Sequence, residues 1–299
     1  MASERLYFPL KRPLVALVKA RMLRHRFTAV FAAGSAAIGA ILLLVNLSGF
    51  FLPLRSPDVN GYRDFAGAET LEFREAMRRL DEIAERNLPL VELVSEATRV
   101  FHEGIAHIAP ADVAKNGLEH YRMRVPASEN WILFTLSYLK PDTYRDYEFC
   151  SYRRALERGT GRCGQQSLAL VSFLSELGVE TGFVALGGHA LATANVGDDE
   201  WYLLDADYGG VIPFDIHTAE RDPSSVLPYY WSPAARANSL HELYEPENEI
   251  RYGGPEARYA RACPIERVAY VLKWAVPALL LLPFPLLITY RRVAARRGG

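Results

Sequence analysis

Two long apolar runs without a charged residue, one near each end of the 299-residue chain, restrict its fold more than any other feature. The first, Phe27 to Leu54, reads FTAVFAAGSAAIGAILLLVNLSGFFLPL, 28 residues. At about 1.5 Å of helix rise per residue, it exceeds the roughly 20 residues needed to cross the hydrocarbon core of a bilayer. The second, Trp274 to Tyr290, has 17 residues, and it reaches back to Val268 if the long stem of Lys273 extends towards the headgroups. Pro277, Pro283 and Pro285 predict kinks there, which membrane helices tolerate better than soluble ones. A buried core helix is the competing reading of each run. The small residues AAGSAA lie at the start of the first run, not at an A-x-A cleavage site at its end, so it reads as a signal anchor.

Charge orients the two runs. Residues 1–26 carry Arg5, Lys11, Arg12, Lys19, Arg21, Arg24 and Arg26 against one Glu, a net +6, and the tail 291–299 carries four arginines. The segment 55–267 carries a net −12. Positive flanks stay in the cytoplasm. The expected organisation is therefore a cytoplasmic basic segment 1–26, a transmembrane helix 27–50, an extracytoplasmic domain 55–267, a second transmembrane helix 268–290 and a cytoplasmic basic tail 291–299. An acidic domain of that balance disfavours nucleic acid as a partner.

Within the domain, residues 55–68 read as a polar loop leaving the membrane. ETLEFREAMRRLDEIAERN places Leu71, Phe73, Ala76, Met77, Leu80 and Ile83 on one stripe, a helical period. Leu88 to Ile108 continues helical until Pro110 stops it, and Trp131 to Tyr138 is a short apolar helix. Gln165 to Leu177 has the broad apolar face of a central buried helix, with Gly178 after it. Three strand-like pieces follow, 180–186, 190–196 and 200–204, the last two joined by the turn residues Gly197-Asp198-Asp199. Helices first and an antiparallel sheet after them make an α+β domain. Residues 215–260 show little periodicity and read as loops with one short helix at 239–244.

The chemistry concentrates in RGTGRCGQQSLALVSFLSELGVETGFVALGGHALATANVGDDEWYLLDAD, residues 158–207. Cys163 stands where a Gly-rich turn opens a helix, His189 follows Gly187-Gly188 at the start of a strand, and Asp205 ends WYLLD. A thiol of ordinary pKa about 8.5 needs help to ionise. A helix N-terminus and a nearby imidazole both favour the thiolate. The free N–H groups of the first helical turn, that of Cys163 included, could hold the oxyanion of a tetrahedral intermediate. Neighbouring strands of a hairpin let Asp205 accept from one imidazole nitrogen while the other faces the sulfur. Cys163 as nucleophile, His189 as base and Asp205 as the carboxylate orienting the base form a candidate catalytic triad. Read singly, each is as well explained as a small buried hydrophobe, a structural histidine and a turn residue, and Asp207 also qualifies as a turn residue.

The pattern G-x-C-G, an apolar helix, L-G, a strand, G-G-H-A, a strand, then W-x-x-L-D resembles the transglutaminase-like superfamily, a branch of papain-like cysteine chemistry. The resemblance covers roughly residues 128–215. It implies a fold with Cys163 on a central helix packed on an antiparallel sheet, here held between two transmembrane helices. It also implies amide-bond chemistry through an acyl-thioester, as a cysteine peptidase, amidase or acyl transferase with a protein or peptide substrate and no cofactor. Trp201 matches the aromatic that opens the Asp strand. Two positions depart from the pattern: Leu191 stands where the family often has an aromatic, and Thr181-Gly182-Phe183 where it often has an Arg, both on the substrate side.

Trp131, Gln165 and Gln166 are candidate side-chain oxyanion donors. His102, His107, His120, His217 and His241 show no metal-ligand spacing, and no metal site is expected. Arg153, Arg154 and Arg158 read as a solvated helix face. Outside the cytoplasm thiols tend to oxidise, so Cys150 and Cys263 are candidates to pair and leave Cys163 free. A non-catalytic domain of the same fold that binds a protein or envelope polymer in a membrane assembly is the rival reading. A scaffold that works through its two membrane helices, in contact with membrane-protein partners, is a third.

Overall fold

The computed structural model describes residues 12–59, 70–245, 250–252 and 254–297, so the expectation for a loop at 55–68 lies largely outside the described residues. The chain divides into two compact units, 1–48 with 271–299, and 49–270. The architecture is mixed α+β. It opens with α1 (Arg12–Ser48), followed in the second unit by α2 (Phe73–Glu85) and α3 (Leu90–Gly104). The helical stripe read from the sequence is the buried face of α2: Ala76, Met77, Leu80 and Ile83 pack into the main core. α3 buries Val94, Ala97, Val100 and Phe101, whereas Val91 is exposed.

Pro110 does not stop α3, which ends at Gly104. A two-residue strand β1 (Ala106–His107) intervenes, and Pro110 opens α4 (Pro110–Asn116). The reason is positional. Proline at the first helical residue lacks only an N–H that the helix leaves unbonded anyway, and its fixed φ suits the start. After α5 (Ala127–Leu139), kinked at Asn130, and α6 (Pro141–Tyr144) come α7 (Tyr152–Arg158), β2 (Thr160–Gly161) and α8 (Cys163–Glu176). β1 and β2 pair in parallel with His107 opposite Gly161, and Gly159 supplies the left-handed turn (φ 69°) between α7 and β2. This pairing was not legible in the sequence, because two residues per strand leave no alternation to read.

The main sheet contains β3 (Thr181–Leu186), β4 (His189–Asn195), β5 (Trp201–Asp205) and β6 (Gly210–Ile212). All its neighbours are antiparallel, in the order β6-β5-β4-β3 and then β7 (Ile250–Tyr252). The three strands expected from the sequence form within a residue of their expected bounds. The turn Gly197-Asp198-Asp199 has positive φ at all three residues, as a tight hairpin of this kind requires. β4 alternates a buried alanine on one face, Ala190, Ala192 and Ala194, with larger residues on the other. Those alanines let α8 lie close on the sheet, where Leu168, Ala169, Leu170, Phe173 and Leu174 meet them. A second core on the opposite face joins Leu191, Leu203 and Ile212 to Ile216, Val226 and Tyr244.

The expectation of loops over 215–260 with one short helix at 239–244 is corrected in part: the short helix forms at Leu240–Tyr244, but the rest is more structured than expected. This stretch holds α9 (Ile216–Arg221), 3₁₀ turns at Pro223–Tyr229 and Leu240–Tyr244, α10 (Ala234–Ala237) and the edge strand β7. These pieces are short and bury scattered residues against the far face of the sheet, so they carry no period. Cys150 and Cys263 are bonded, with Cα atoms 5.5 Å apart.

α11 (Gly254–Leu281) leads into the first unit beyond Tyr270, and after a turn at Leu282 α12 (Pro283–Arg297) begins. The stretches Phe27–Ser48 and Ala262–Tyr290 are both long and apolar enough to span a membrane. Their large apolar side chains face outwards: Phe31 is 63% exposed, Leu44 66% and Leu279 63%, so neither stretch is a buried core helix. Within this unit Gly39 lets the helices approach. A Cβ there would lie 2.9 Å from the Pro277 carbonyl oxygen, and Ser35 Oγ donates to the Leu280 carbonyl at 3.1 Å.

Candidate functional site

The strand ends and the start of α8 bring the three expected residues together. Cys163 is the first residue of α8, His189 the first of β4 and Asp205 the last of β5. His189 Nε2 donates to Asp205 Oδ2 at 2.8 Å, and both side chains are buried. That bond fixes the proton on Nε2 and leaves Nδ1 for other partners. Cys163 Sγ, a ring nitrogen of His189 and a carboxylate oxygen of Asp207 all lie within 4.8 Å of one another. Cys163 is half-buried and is the free cysteine.

Asp205 is held on every side. Its Oδ1 accepts the backbone N–H groups of Asp207 (2.9 Å) and Tyr208 (3.0 Å), and its Oδ2 also accepts the Tyr230 hydroxyl at 3.0 Å. Tyr244 stands behind, its hydroxyl 2.7 Å from that of Tyr230. Since Tyr230 donates to Asp205, Tyr244 donates to Tyr230. Burial favours a neutral Asp205, but the His189 ring and the Tyr208 and Tyr230 donors outweigh it and hold the carboxyl below its ordinary value. At His189 burial opposes the charged ring, and Asp205 together with Cys163 outweighs that and raises the imidazole well above its ordinary value. Tyr230, buried beside the Asp205 charge, is pushed well up and stays a donor.

A second carboxylate, Asp207, is also buried. Its Oδ2 lies 3.7 Å from His189 Nδ1, and its Oδ1 takes His107 Nδ1 at 2.7 Å. His102 bonds through Nδ1 to the Ala206 and Asp207 carbonyls, 3.0 and 3.2 Å away. Gly209 closes this turn at φ +70°. A Cβ there would lie 2.9 Å from both His102 Nε2 and Trp231 Cε3, so only glycine fits. His102, His107, Tyr230 and Tyr244 were all missed from the sequence. His107 reaches the site through β1 and Tyr230 and Tyr244 through the 215–245 segment, for which no local pattern exists, while His102 comes from the buried residues of α3.

Three expectations at the site's edge are corrected. Gln165 is not available as an oxyanion donor: its amide bonds Phe149 N and O (2.7 and 2.9 Å) and accepts from Arg158. Gln166 Nε2 is taken by the Ile105 carbonyl at 2.7 Å. Trp131 stands half-buried on α5. Arg158 is no solvated helix face but fully buried. Its guanidinium donates to Thr160 O (2.9 Å), Tyr147 O (2.6 Å) and Gln165 Oε1 (2.6 Å) and lies 4.9 Å over the Phe149 ring. Its charge, in a run of arginines, suggested solvent, but Arg158 shares the buried face of α7 with Tyr152 and Ala155, and the chain of 146–151 and 159–165 folds around it. The cap residue of α8, Arg162, makes no side-chain cap bond, and the first N–H groups of a helix lack intrahelical acceptors, so the donors beside Cys163 are those of the backbone.

No protein-family model, curated protein or solved structure matches this chain.

Proposed function

We propose that the chain is a membrane-anchored thiol enzyme with a transglutaminase-like core, cleaving or transferring amide bonds of a protein or peptide through an acyl-thioester on Cys163. The observation that carries the reading is the convergence of a free thiol at a helix N-terminus with an imidazole whose far nitrogen is bonded to a buried carboxylate. In this reading the Cys163 sulfur attacks the carbonyl carbon, and the carbonyl electron pair moves onto oxygen. The N–H groups of the first turn of α8 stabilise that oxyanion. Collapse breaks the C–N bond, and His189 gives its Nδ1 proton to the leaving amine. Water or a second amine then attacks the thioester, His189 takes the attacking group's proton, and collapse breaks the C–S bond, releasing the acid or new amide and returning Cys163 as thiolate. Asp205, gripped by four donors, keeps the ring turned so that Nδ1 faces the sulfur throughout.

Placement outside the cytoplasm, with both termini inside, is part of the proposal. It is supported by the basic flanks around an acidic segment and by the Cys150–Cys263 disulfide, a bond that oxidising compartments preserve.

The test uses the full-length chain in detergent. Iodoacetamide should alkylate Cys163 readily at pH 6, where an ordinary thiol is almost wholly protonated. The rate should fall at least tenfold in His189→Ala and by less in Asp205→Ala. Slow labelling that His189→Ala leaves unchanged would refute the enzyme and favour a non-catalytic domain that binds polypeptide.

A further inference from the structure

Asp207 has no role in the triad. Asp205 already occupies the far nitrogen of His189, and a second buried carboxylate lies within 4.8 Å of the sulfur. Yet Asp207 is anchored there twice over, by the His107 ring on Oδ1 and by the turn whose N–H bonds Asp205. Its Oδ2 faces His189 Nδ1, so a sulfur, a ring nitrogen and a carboxylate oxygen converge on one point.

We propose that Cys163, His189 and Asp207 together bind one zinc-class divalent cation, and that this metal caps the thiol. The donor set suits the ion: thiolate sulfur, imidazole nitrogen and carboxylate oxygen are the three ligand types zinc takes, and three protein ligands with an open fourth position are a common arrangement. Bond lengths of about 2.0–2.3 Å at tetrahedral angles place ligand atoms about 3.3–3.6 Å apart. The 3.7 Å between His189 Nδ1 and Asp207 Oδ2 already matches, and closing the sulfur from its limit of 4.8 Å requires a shift of about an ångström. The supporting bonds are in place as well. Asp205 accepts from His189 Nε2, as carboxylates do behind metal-bound histidines, and His107 clamps the other oxygen of Asp207. Half-burial of Cys163 leaves the fourth position to water.

The charge and proton balance is simple. The metal takes the thiolate and the neutral imidazole, the one proton that sulfur and ring share leaves to solvent, and nothing is oxidised or reduced. The consequence for regulation rests on the thiol-enzyme reading: with sulfur and Nδ1 both on the metal, attack and proton transfer stop together, and removal of the ion restores them. The binding itself does not rest on that reading.

Chelator-stripped full-length protein in detergent, titrated calorimetrically with zinc chloride in two buffers of different ionisation enthalpy, should bind one ion per chain and release one proton. Cobalt(II) as a spectroscopic probe should show thiolate-to-metal absorption that Cys163→Ala abolishes. Affinity should fall at least a hundredfold in Asp207→Asn and roughly ten- to a hundredfold in His107→Gln, the range expected for a supporting residue. In the unmutated chain, micromolar zinc should protect Cys163 from iodoacetamide, an arm that does not depend on any variant folding. Binding equally tight in Asp207→Asn, cobalt spectra without a thiolate band, or alkylation unaffected by zinc would each overturn the proposal. Slow, His189-independent alkylation of the metal-free protein alongside intact zinc binding would instead remove the enzyme and leave the metal site standing.

Discussion

Replacing Arg158 tests how the segment before Cys163 is held. The side chain is fully buried with no carboxylate in its hydrogen-bond shell; its three acceptors are the Tyr147 and Thr160 carbonyls and Gln165 Oε1. Burial lowers the guanidinium to about 10, against an ordinary 12.5. The difference corresponds to about 3 kcal/mol against the charged form at neutral pH. In Arg158→Met that cost vanishes, but the two carbonyls lose their donor, at about 1–3 kcal/mol each, while Gln165 Oε1 keeps Phe149 N. The balance runs from a gain of about 1 to a loss of about 3 kcal/mol. Arg158→Lys retains the charge while offering a single ammonium that cannot span three acceptors. It loses at least one of the two carbonyl bonds and still carries the burial cost. Shedding the proton is no escape, since deprotonation of an ordinary lysine at pH 7 itself requires about 4–5 kcal/mol. The lysine variant should therefore be less stable than the methionine variant, by up to about 3 kcal/mol. Urea unfolding of the full-length chain in detergent, followed by tryptophan fluorescence, reads the order. Both variants should also slow Cys163 alkylation, because Arg158 and Gln165 lock Tyr147 and Phe149 against the turn that carries the thiol. A lysine variant as stable as wild type, or more stable than methionine, would refute this account.

Three further outcomes follow from the same geometry. Tyr230→Phe removes a donor to the Asp205 carboxylate and strands the Tyr244 hydroxyl, so it should destabilise by about 1.5–3 kcal/mol and slow Cys163 alkylation, measured side by side with wild type. Asp215 caps α9 by accepting Thr218 N–H at 2.8 Å, so Asp215→Ala should lose about 1 kcal/mol at pH 7 in urea unfolding. The Thr218 side chain, with its N–H, holds the Asp215 carboxyl below its ordinary 3.8, so its contribution is complete above 3.8 and is lost as pH falls through the lower folded value; the two unfolding curves should converge in acid. Reduction of Cys150–Cys263, which are 113 residues apart in sequence, should lower stability by about 5 kcal/mol in wild type and leave a Cys150→Ser/Cys263→Ser variant unchanged.

The parts of this protein that were legible in its sequence are those whose reason is local. The two apolar stretches, the stripe Ala76–Met77–Leu80–Ile83, the apolar face of α8 and the hairpin turn at 197–199 each follow from a period or a turn residue spanning a few positions. Cys163, His189 and Asp205 were legible for the same reason: each marks the end of a helix or strand whose pattern is its own. The limits of local reasoning appear at Arg158 and Pro110. The charge of a basic run put Arg158 in solvent, because a charge read by itself says nothing of the 146–151 and 159–165 chain that encloses it. Proline was read as a stop at a place where the chain had already left the helix and was starting another.

What the tertiary structure alone decided is the environment of Cys163, His189 and Asp205. The short parallel pairing of β1 with β2 carries His107 from position 107 to the carboxylate at 207, and the 3₁₀ turns of 223–244 deliver Tyr230 and Tyr244 beneath Asp205. Local periodicity reports which face of an element is buried. It carries no information about which distant hydroxyl or imidazole will satisfy a buried carboxylate, because that depends on strand register and loop path between residues a hundred positions apart. The sequence by itself therefore determined where a thiol, an imidazole and an acid would stand, and the packed chain determined which second acid stands with them.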